Sequence, residues 1–215
     1  MSEWQSKDWI GVVALCVAVV ALVKDPILAY VFRPRLHIAF DQTNGADFHQ
    51  IPVNVSAKSG DLLAQVPSYY ARLRVRNTGG STAQMMEVSV IKLSRRDLSG
   101  TYVPSQTFLP LNLKWSHVGT TYRERIPRTV TKYCDLLHML QPGLPFSTAT
   151  LRAVLDLEVQ PSSGTGTLAP GFYKLVVQVA AGNARARNAN VYLSVPETWA
   201  DNAGGMIANG FYLTI

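Results

Sequence analysis

The sequence predicts an all-β domain, a sandwich of about seven to nine strands, carried behind one N-terminal transmembrane helix. Three observations predict it. Trp9 to Phe32 is an apolar run on the scale of a bilayer. Tyr69 to Asn77 alternates apolar and basic residues with strict period two. From Leu36 onward Gly, Asn and Pro turn signals recur about every ten residues, and no helical period of useful length interrupts them.

The apolar run comes first. Ile10 to Val23 reads IGVVALCVAVVALV, without a charge. After Lys24-Asp25-Pro26 the apolar character resumes from Ile27 to Phe32. A bilayer core about 30 Å thick takes about 20 helical residues. Trp9 to Val23 falls short of that, and Trp9 to Phe32 exceeds it. Asp25 precedes a proline, which biases it away from helix, whereas Pro26 suits the first turn of a new one. Two geometries follow: one tilted helix kinked at Pro26, or a short span ending at 24–26 with Tyr30 and Phe32 lying at the headgroups. Trp4 and Trp9 would mark the opposite interface. A cleaved signal peptide and a buried core helix are the competing readings. The first needs a basic start and small residues at the cut; here Glu3 and Asp8 outweigh Lys7, and no such cut site follows.

Basic residues set the orientation. Lys7 stands alone before the run, and Lys24, Arg33 and Arg35 follow it. That asymmetry places a single-pass protein in the inner (cytoplasmic) membrane with its C-terminal domain in the cytoplasm. Cys16 falls inside the anchor, so Cys134 has no intrachain partner, which suits a reducing compartment. The chain divides into a tail (1–8), an anchor (9–32), a basic junction (33–35) and a domain (36–215) with an irregular insertion at about 98–150.

The 215 residues leave about 180 beyond the anchor, enough for one domain with its own core. The formal charge is +6, yet charged residues make up only 16% of the chain, against about 25% in typical domains. Beside an anionic leaflet each surface Lys or Arg contributes about 1 kcal/mol. Lipid headgroups are therefore the first expected partner.

Leu36 to Asp41 alternates as a first strand, and Gln50 to Val55 is a second that Pro52 confines to an edge. Between Tyr69 and Asn77, Ala71, Leu73 and Val75 face one way and Arg72, Arg74 and Arg76 the other. Asn77-Thr78-Gly79-Gly80-Ser81 predicts a hairpin turn, because Asn and Gly accept positive φ. Gln84 to Leu93 returns, with Met86, Val88 and Val90 inward. Leu109 to Trp115 is strand-like. Tyr133 to Leu140 fits a helical turn or a strand. Leu151 to Val159, Tyr173 to Ala181 and Asn190 to Val195 complete the pattern, with 210–215 as a final edge.

The stretch LRVRNTGGSTAQMMEVSV resembles the strand–turn–strand of immunoglobulin-like β-sandwich modules, with their V-x-N-T-G turn. The whole layout of short helix, R-P-R junction and sandwich is similar to bacterial single-pass membrane proteins. That likeness covers about half the chain. It implies a fold and brings no catalytic or binding residue with it.

His37, His49, His117 and His138 show no metal-ligand spacing, and no Cys-x-x-Cys, nucleophile elbow or phosphate loop occurs. The expectation is a non-enzymatic protein without metal or cofactor. Two basic features remain. The Arg72, Arg74, Arg76 stripe could bind an acidic partner or a phosphate; the favoured reading is cross-strand pairing with Glu87, or with Asp156 and Glu158 on a neighbour, at about 0.2–1 kcal/mol per pair. Tyr122, Arg123, Arg125, Arg128 and Lys132, with Tyr133, form either a solvated insertion or a contact surface, since Arg and Tyr are enriched at binding hot spots. No base-reading module surrounds them, so nucleic acid is not the expected partner. The function expected is a membrane-anchored module that binds a protein partner at the cytoplasmic face. The alternative is an extracytoplasmic carbohydrate or surface-ligand module using Trp115, Trp199 and Tyr192.

Overall fold

The computed structural model describes residues 6–56, 62–144, 147–162 and 164–215. Trp4 lies outside these residues, as do positions 145 and 146 of the expected insertion. Helix α1 (Ser6–Val31) is one unbroken element that runs through Pro26. At 1.5 Å per residue it is about 39 Å long. Of the two geometries at 24–26, the continuous helix is the one found. Pro26 lacks an N–H to give back to Leu22, and the helical ladder still closes beyond it, with Phe32 N–H donating to the Leu28 carbonyl at 2.9 Å. Gly11–Leu28 is long and apolar enough to cross a membrane, and none of it is buried.

Among the described residues fourteen strands and a short helix follow. The first half contains β1 (Leu36–Ala39), β2 (Phe48–Ser56), β3 (Leu62–Asn77), β4 (Ala83–Arg96), β5 (Tyr102–Pro104), β6 (Leu111–Asn112) and β7 (Lys114–Trp115). The second contains β8 (Tyr122–Ile126), β9 (Thr131–Leu140), β10 (Ala153–Leu155), β11 (Thr167–Leu168), β12 (Gly171–Ala181), β13 (Ala184–Val195), α2 (Ala203–Ala208) and β14 (Tyr212–Thr214).

They form two antiparallel sheets packed as a sandwich. The first has the order β1-β3-β9-β10-β11, with β2 continuing along β3 beside β1, and β7 on β9. The second has the order β14-β13-β12-β4-β5, with β6 and β8 also on β4. Period-two alternation supplies the core. Tyr69, Ala71, Leu73 and Val75 of β3 face Met86, Val88 and Val90 of β4 and Leu175, Val177 and Val179 of β12, all without solvent exposure. Phe48 stacks on Phe211 at 4.2 Å and on Tyr69 at 5.2 Å. The Tyr69 hydroxyl, buried with its ring, donates to the Ala200 carbonyl at 3.0 Å.

Two expectations are corrected here, and one reading left open between helical turn and strand is decided for the strand. Asn77 to Ser81 is not a hairpin, because β3 and β4 belong to different sheets; it is a corner that carries the chain across the sandwich. Neither Gly79 nor Gly80 adopts positive φ. The stretch 98–150 is no mere insertion, since β5 to β9 lie within it and pair into both sheets. Tyr133 to Leu140 belongs to the ten-residue strand β9, against β3.

Candidate functional site

Arg33, Arg35, Arg76 and Arg128 come together at one end of the sandwich, where α1 enters it. Four pieces of chain meet there: the junction 33–35, the corner 77–82, the β8–β9 turn 127–130 and the β12–β13 tip 181–184. Their meeting follows from register. Leu36 is opposite Asn77, Ile126 opposite Ala83, Thr131 opposite Arg76, and Ala184 opposite Ala181.

Asn77 holds three of the four together. Its side chain is buried and makes four hydrogen bonds, all to backbone. Oδ1 accepts from the amides of Arg35 at 3.2 Å and Gly79 at 3.0 Å. Nδ2 donates to the carbonyls of Ser81 at 2.7 Å and Ile126 at 3.1 Å. The Asn77 carbonyl accepts from Thr129 N–H at 2.8 Å, and Thr78 N–H donates to the Arg35 carbonyl at 2.8 Å. The fourth piece is tied by Asn183, whose Oδ1 accepts from Gln84 N–H and whose Nδ2 donates to the Thr82 carbonyl. Asn at 77 is thus a bracket, since a carboxamide carries both donors and acceptors.

The two glycines of the corner have a steric reason. A methyl group at Gly79 would overlap the backbone of Arg33, Pro34 and Arg35, and one at Gly80 would strike Phe32. The junction lies directly on the corner, so helix and sandwich are joined without slack. Arg33 is further held by its guanidinium lying 4.7 Å from the Tyr30 ring centroid.

Around this bracket the end is positively charged. A cavity of about 330 Å³ lies between the junction and the start of β13, lined by Arg33, Pro34, Arg35, Leu36, Arg185 and Arg187 among others. A second, of about 320 Å³, lies across β1 and includes His37, Arg74 and Arg76. The ion pairs among the described residues are Arg72–Asp135, Arg74–Asp47 and His138–Asp156. Arg33, Arg35, Arg76, Arg185 and Arg187 enter none of them.

The remaining sequence-selected residues occupy neighbouring positions. Lys24 is exposed on α1. Tyr122 and Arg125 are exposed on β8, which pairs with β4 alone, and Arg128 is exposed in the turn that follows. Arg123 is half-buried, with its guanidinium 5.9 Å from the Trp115 ring centroid. Lys132 is half-buried on β9 opposite Val75. Tyr122 to Ile126 is therefore an edge strand rather than a loop. The aromatic set considered for carbohydrate is dispersed: Trp115 is fully buried, Trp199 packs against the core, and Tyr192 remains exposed beside Tyr102.

The Arg72–Arg76 stripe does not meet the acids proposed from sequence. Glu87 lies on β4 in the other sheet. Arg72 Nε instead donates to Asp135 at 2.9 Å, and Arg74 lies 2.9 Å from Asp47. Ser116 Oγ donates to the same Asp135 oxygen at 2.6 Å. His49 Nε2 lies 3.1 Å from Arg72, and burial followed by the Arg72 charge pushes its pKa down. Burial pushes Asp47 up. Nearby, His138 Nδ1 lies 2.9 Å from Asp156, and the His138 ring stacks on Tyr70. Burial, then Asp156 and Asp135, push the Tyr70 phenol up to about 12. Ser116 thus bonds a carboxylate already committed to Arg72, not a free base, and the set is a polar cover over one arginine. Among the described residues no group of three or more His, Cys, Asp or Glu side chains is placed to hold a metal ion.

Sequence reasoning missed Arg185, Arg187 and the bracketing role of Asn77. The signal for the arginines was present. Gly182-Asn183 marks a turn, and Arg185-Ala186-Arg187 one residue after it places two cations at the start of the returning strand. No protein-family model matches the chain, and no curated protein matches it.

Proposed function

We propose that the chain is a membrane-anchored, non-enzymatic module. In this reading α1 crosses the cytoplasmic membrane once, the basic end of the sandwich rests on the anionic inner leaflet, and the domain holds a protein partner in the cytoplasm. One observation carries it: an uncovered apolar helix of 26 residues ends in a junction that is locked, without slack, to a corner ringed by arginines that enter no ion pair among the described residues. A span fixed in this way would set the height and tilt of the sandwich over the headgroups. The basic asymmetry across α1 supports the cytoplasmic orientation. The edge strand β8 supports the partner, because its free side can accept an added strand and Tyr122 and Arg125 stand exposed along it.

The native cysteines make the topology test clean. Cys134 is fully buried and burial raises its thiol pKa, so it reacts slowly; Cys16 lies within the apolar helix. A Leu98→Cys variant places a thiol at a fully exposed position. In intact bacterial cells a membrane-impermeant maleimide should leave it unlabelled and label it once the membrane is opened. Labelling in intact cells would place the domain outside and end the cytoplasmic reading. A photo-crosslinker at Tyr122 should then yield one discrete adduct that is absent when the probe sits at Ser99. No adduct at Tyr122 removes β8 as the contact.

A further inference from the structure

We infer that the cavity between the junction and β13 is a binding site for a phosphate-bearing anion, with Arg33, Arg35, Arg185 and Arg187 as its ligands. The inference builds on the anchored reading but names a site that general surface charge does not require. Two arginines come from the junction and two from β13, about 150 residues away in sequence, and the fold brings them to one concavity. The register of β13 against β12 shifts by one residue between Ala184 and Arg187, and this bulge at the strand's start lets both Arg185 and Arg187 line the cavity. Arg187 is opposite the buried Val179, on the face that carries Val191, Leu193 and Val195 into the core further along β13. The cavity is therefore the mouth of the sandwich, where the inner face turns from apolar to cationic.

Its parts are held in advance. Asn77 fixes the Arg35 backbone, Gly79 admits the junction into close contact, and Tyr30 positions the Arg33 guanidinium. Among the described residues no carboxylate lines the cavity, and none of the four arginines is ion-paired. Four cations converging without a counter-charge repel one another until an anion enters. Guanidinium is the cation whose planar fork matches phosphate oxygens in pairs. A volume of about 330 Å³ lies at the small end of ligand sites and exceeds what a lone ion needs, so a phosphodiester or a phosphorylated small molecule is the class it fits. The cavity opens where α1 has just ended, two residues past Val31, which is the depth of lipid phosphate if α1 spans the membrane. A lipid headgroup and a soluble phosphate ester share this chemistry.

The test uses the full chain in nanodiscs of phosphatidylcholine, with and without phosphatidylglycerol, and with soluble glycerol phosphate added to the neutral discs. Melting temperature and ligand titration are the readouts. Either phosphate source should raise the melting temperature of the parent chain. Arg185→Gln with Arg187→Gln should weaken binding by about tenfold or more, as loss of a charged hydrogen bond does. Arg185→Lys with Arg187→Lys, which keeps charge and loses the fork, should recover only part of it. Arg125→Gln with Arg128→Gln, at the same end but outside the cavity, should bind as the parent does. A shift with phosphatidylglycerol alone identifies a headgroup site, and a shift with glycerol phosphate in neutral discs a soluble ligand; either supports the site. Equal loss in both Gln pairs, full rescue by Lys, or no shift from either source overturns it. A chain that stays out of the discs overturns the anchored reading instead, and the glycerol phosphate titration in solution still reads the cavity.

Discussion

Arg72 and Arg185 begin the same pattern, an Arg-x-Arg on a β-strand, and they end in opposite environments. The Arg72 side chain is 9% exposed, bonded to Asp135 beside Ser116 and His49, and roofed by the Tyr70 ring. Arg185 and Arg187 are exposed, line a cavity and meet no acid among the described residues. The difference lies in what the chain does around each strand. Over β3 the outer face is covered: the loop before β2 brings Asp47, β7 runs on into Ser116, and β9 brings Asp135. A buried guanidinium left without its partner there costs about 3–5 kcal/mol. At the tip of β13 the sandwich is open, so charge is tolerated unpaired and is free to serve a ligand. Arg72 and Arg74 are part of the core's polar boundary, whereas Arg185 and Arg187 are available.

The largest expected effect breaks the covered stripe. Asp135→Ala removes the acceptor of both Arg72 and Ser116 and leaves a buried cation alone. The expected cost is about 3 kcal/mol or more, read by chemical denaturation of the full chain in detergent micelles. A loss below about 1 kcal/mol, the range of exposed pairs, would show that the cover is looser than its geometry.

Next comes the bracket between helix and sandwich. Gly79→Ala adds a methyl group where the backbone of Arg33, Pro34 and Arg35 already lies. Overpacking against backbone costs about 1–3 kcal/mol, and the junction should lift. Trypsin should then cut faster after Arg35, whose amide is pinned in the parent by Asn77. Unchanged stability together with an unchanged cutting rate would mean that the junction is not seated on the corner.

The sequence carried the strands that alternate and lost those that do not. The inward sets of β3, β4, β12 and β13 were all visible as period-two patterns. Strand β9 was ambiguous for a definite reason. Its register against β3 shifts between Ala71 and Arg72, which pair with Leu137 and Asp135, so Leu136 is an extra residue. Leu136 and Leu137 are then both buried, and two adjacent apolar positions erase the alternation. The corner was misread because glycine has two uses. Positive φ is announced by Asn-Gly in sequence, whereas room for a distant backbone is not, and Gly79 serves the second. The partners of Arg72 and Arg74 come from elements 63 residues later and 27 residues earlier, distances that follow from residue numbers 72 to 135 and 47 to 74. No local pattern encodes such pairings.

The two stripes also differ in response to pH. His49 has its pKa lowered by burial and by Arg72. The unfolded chain therefore takes up a proton below its ordinary 6.5 while the folded chain resists it. Stability should fall as pH drops through that window, and His49→Gln should flatten the fall. Tyr70 is raised from 10.0 to about 12, so between those values the unfolded chain has lost a proton that the folded chain keeps. Stability should fall again as pH rises from 10.0 toward about 12, and Tyr70→Phe should remove that part of the slope. Arg72, His138, Asp135 and Asp156 surround the phenol, so the comparison with parent must be made at constant salt. Identical slopes in parent and variants would mean that the cover admits water freely.

The smallest effect is the most telling about the open stripe. In neutral discs without phosphate, Arg185→Gln with Arg187→Gln should change folding stability by no more than about 0.5 kcal/mol, as at ordinary surface positions. The sign should be toward greater stability, because removing two of four crowded cations relieves repulsion. Raising salt should shrink even that gain, since exposed charges are screened within about 10 Å at 0.1 M. A clear destabilisation would instead show that these arginines hold the sandwich together as Arg72 does. The contrast between an arginine that serves the fold and one left free for a ligand would then collapse.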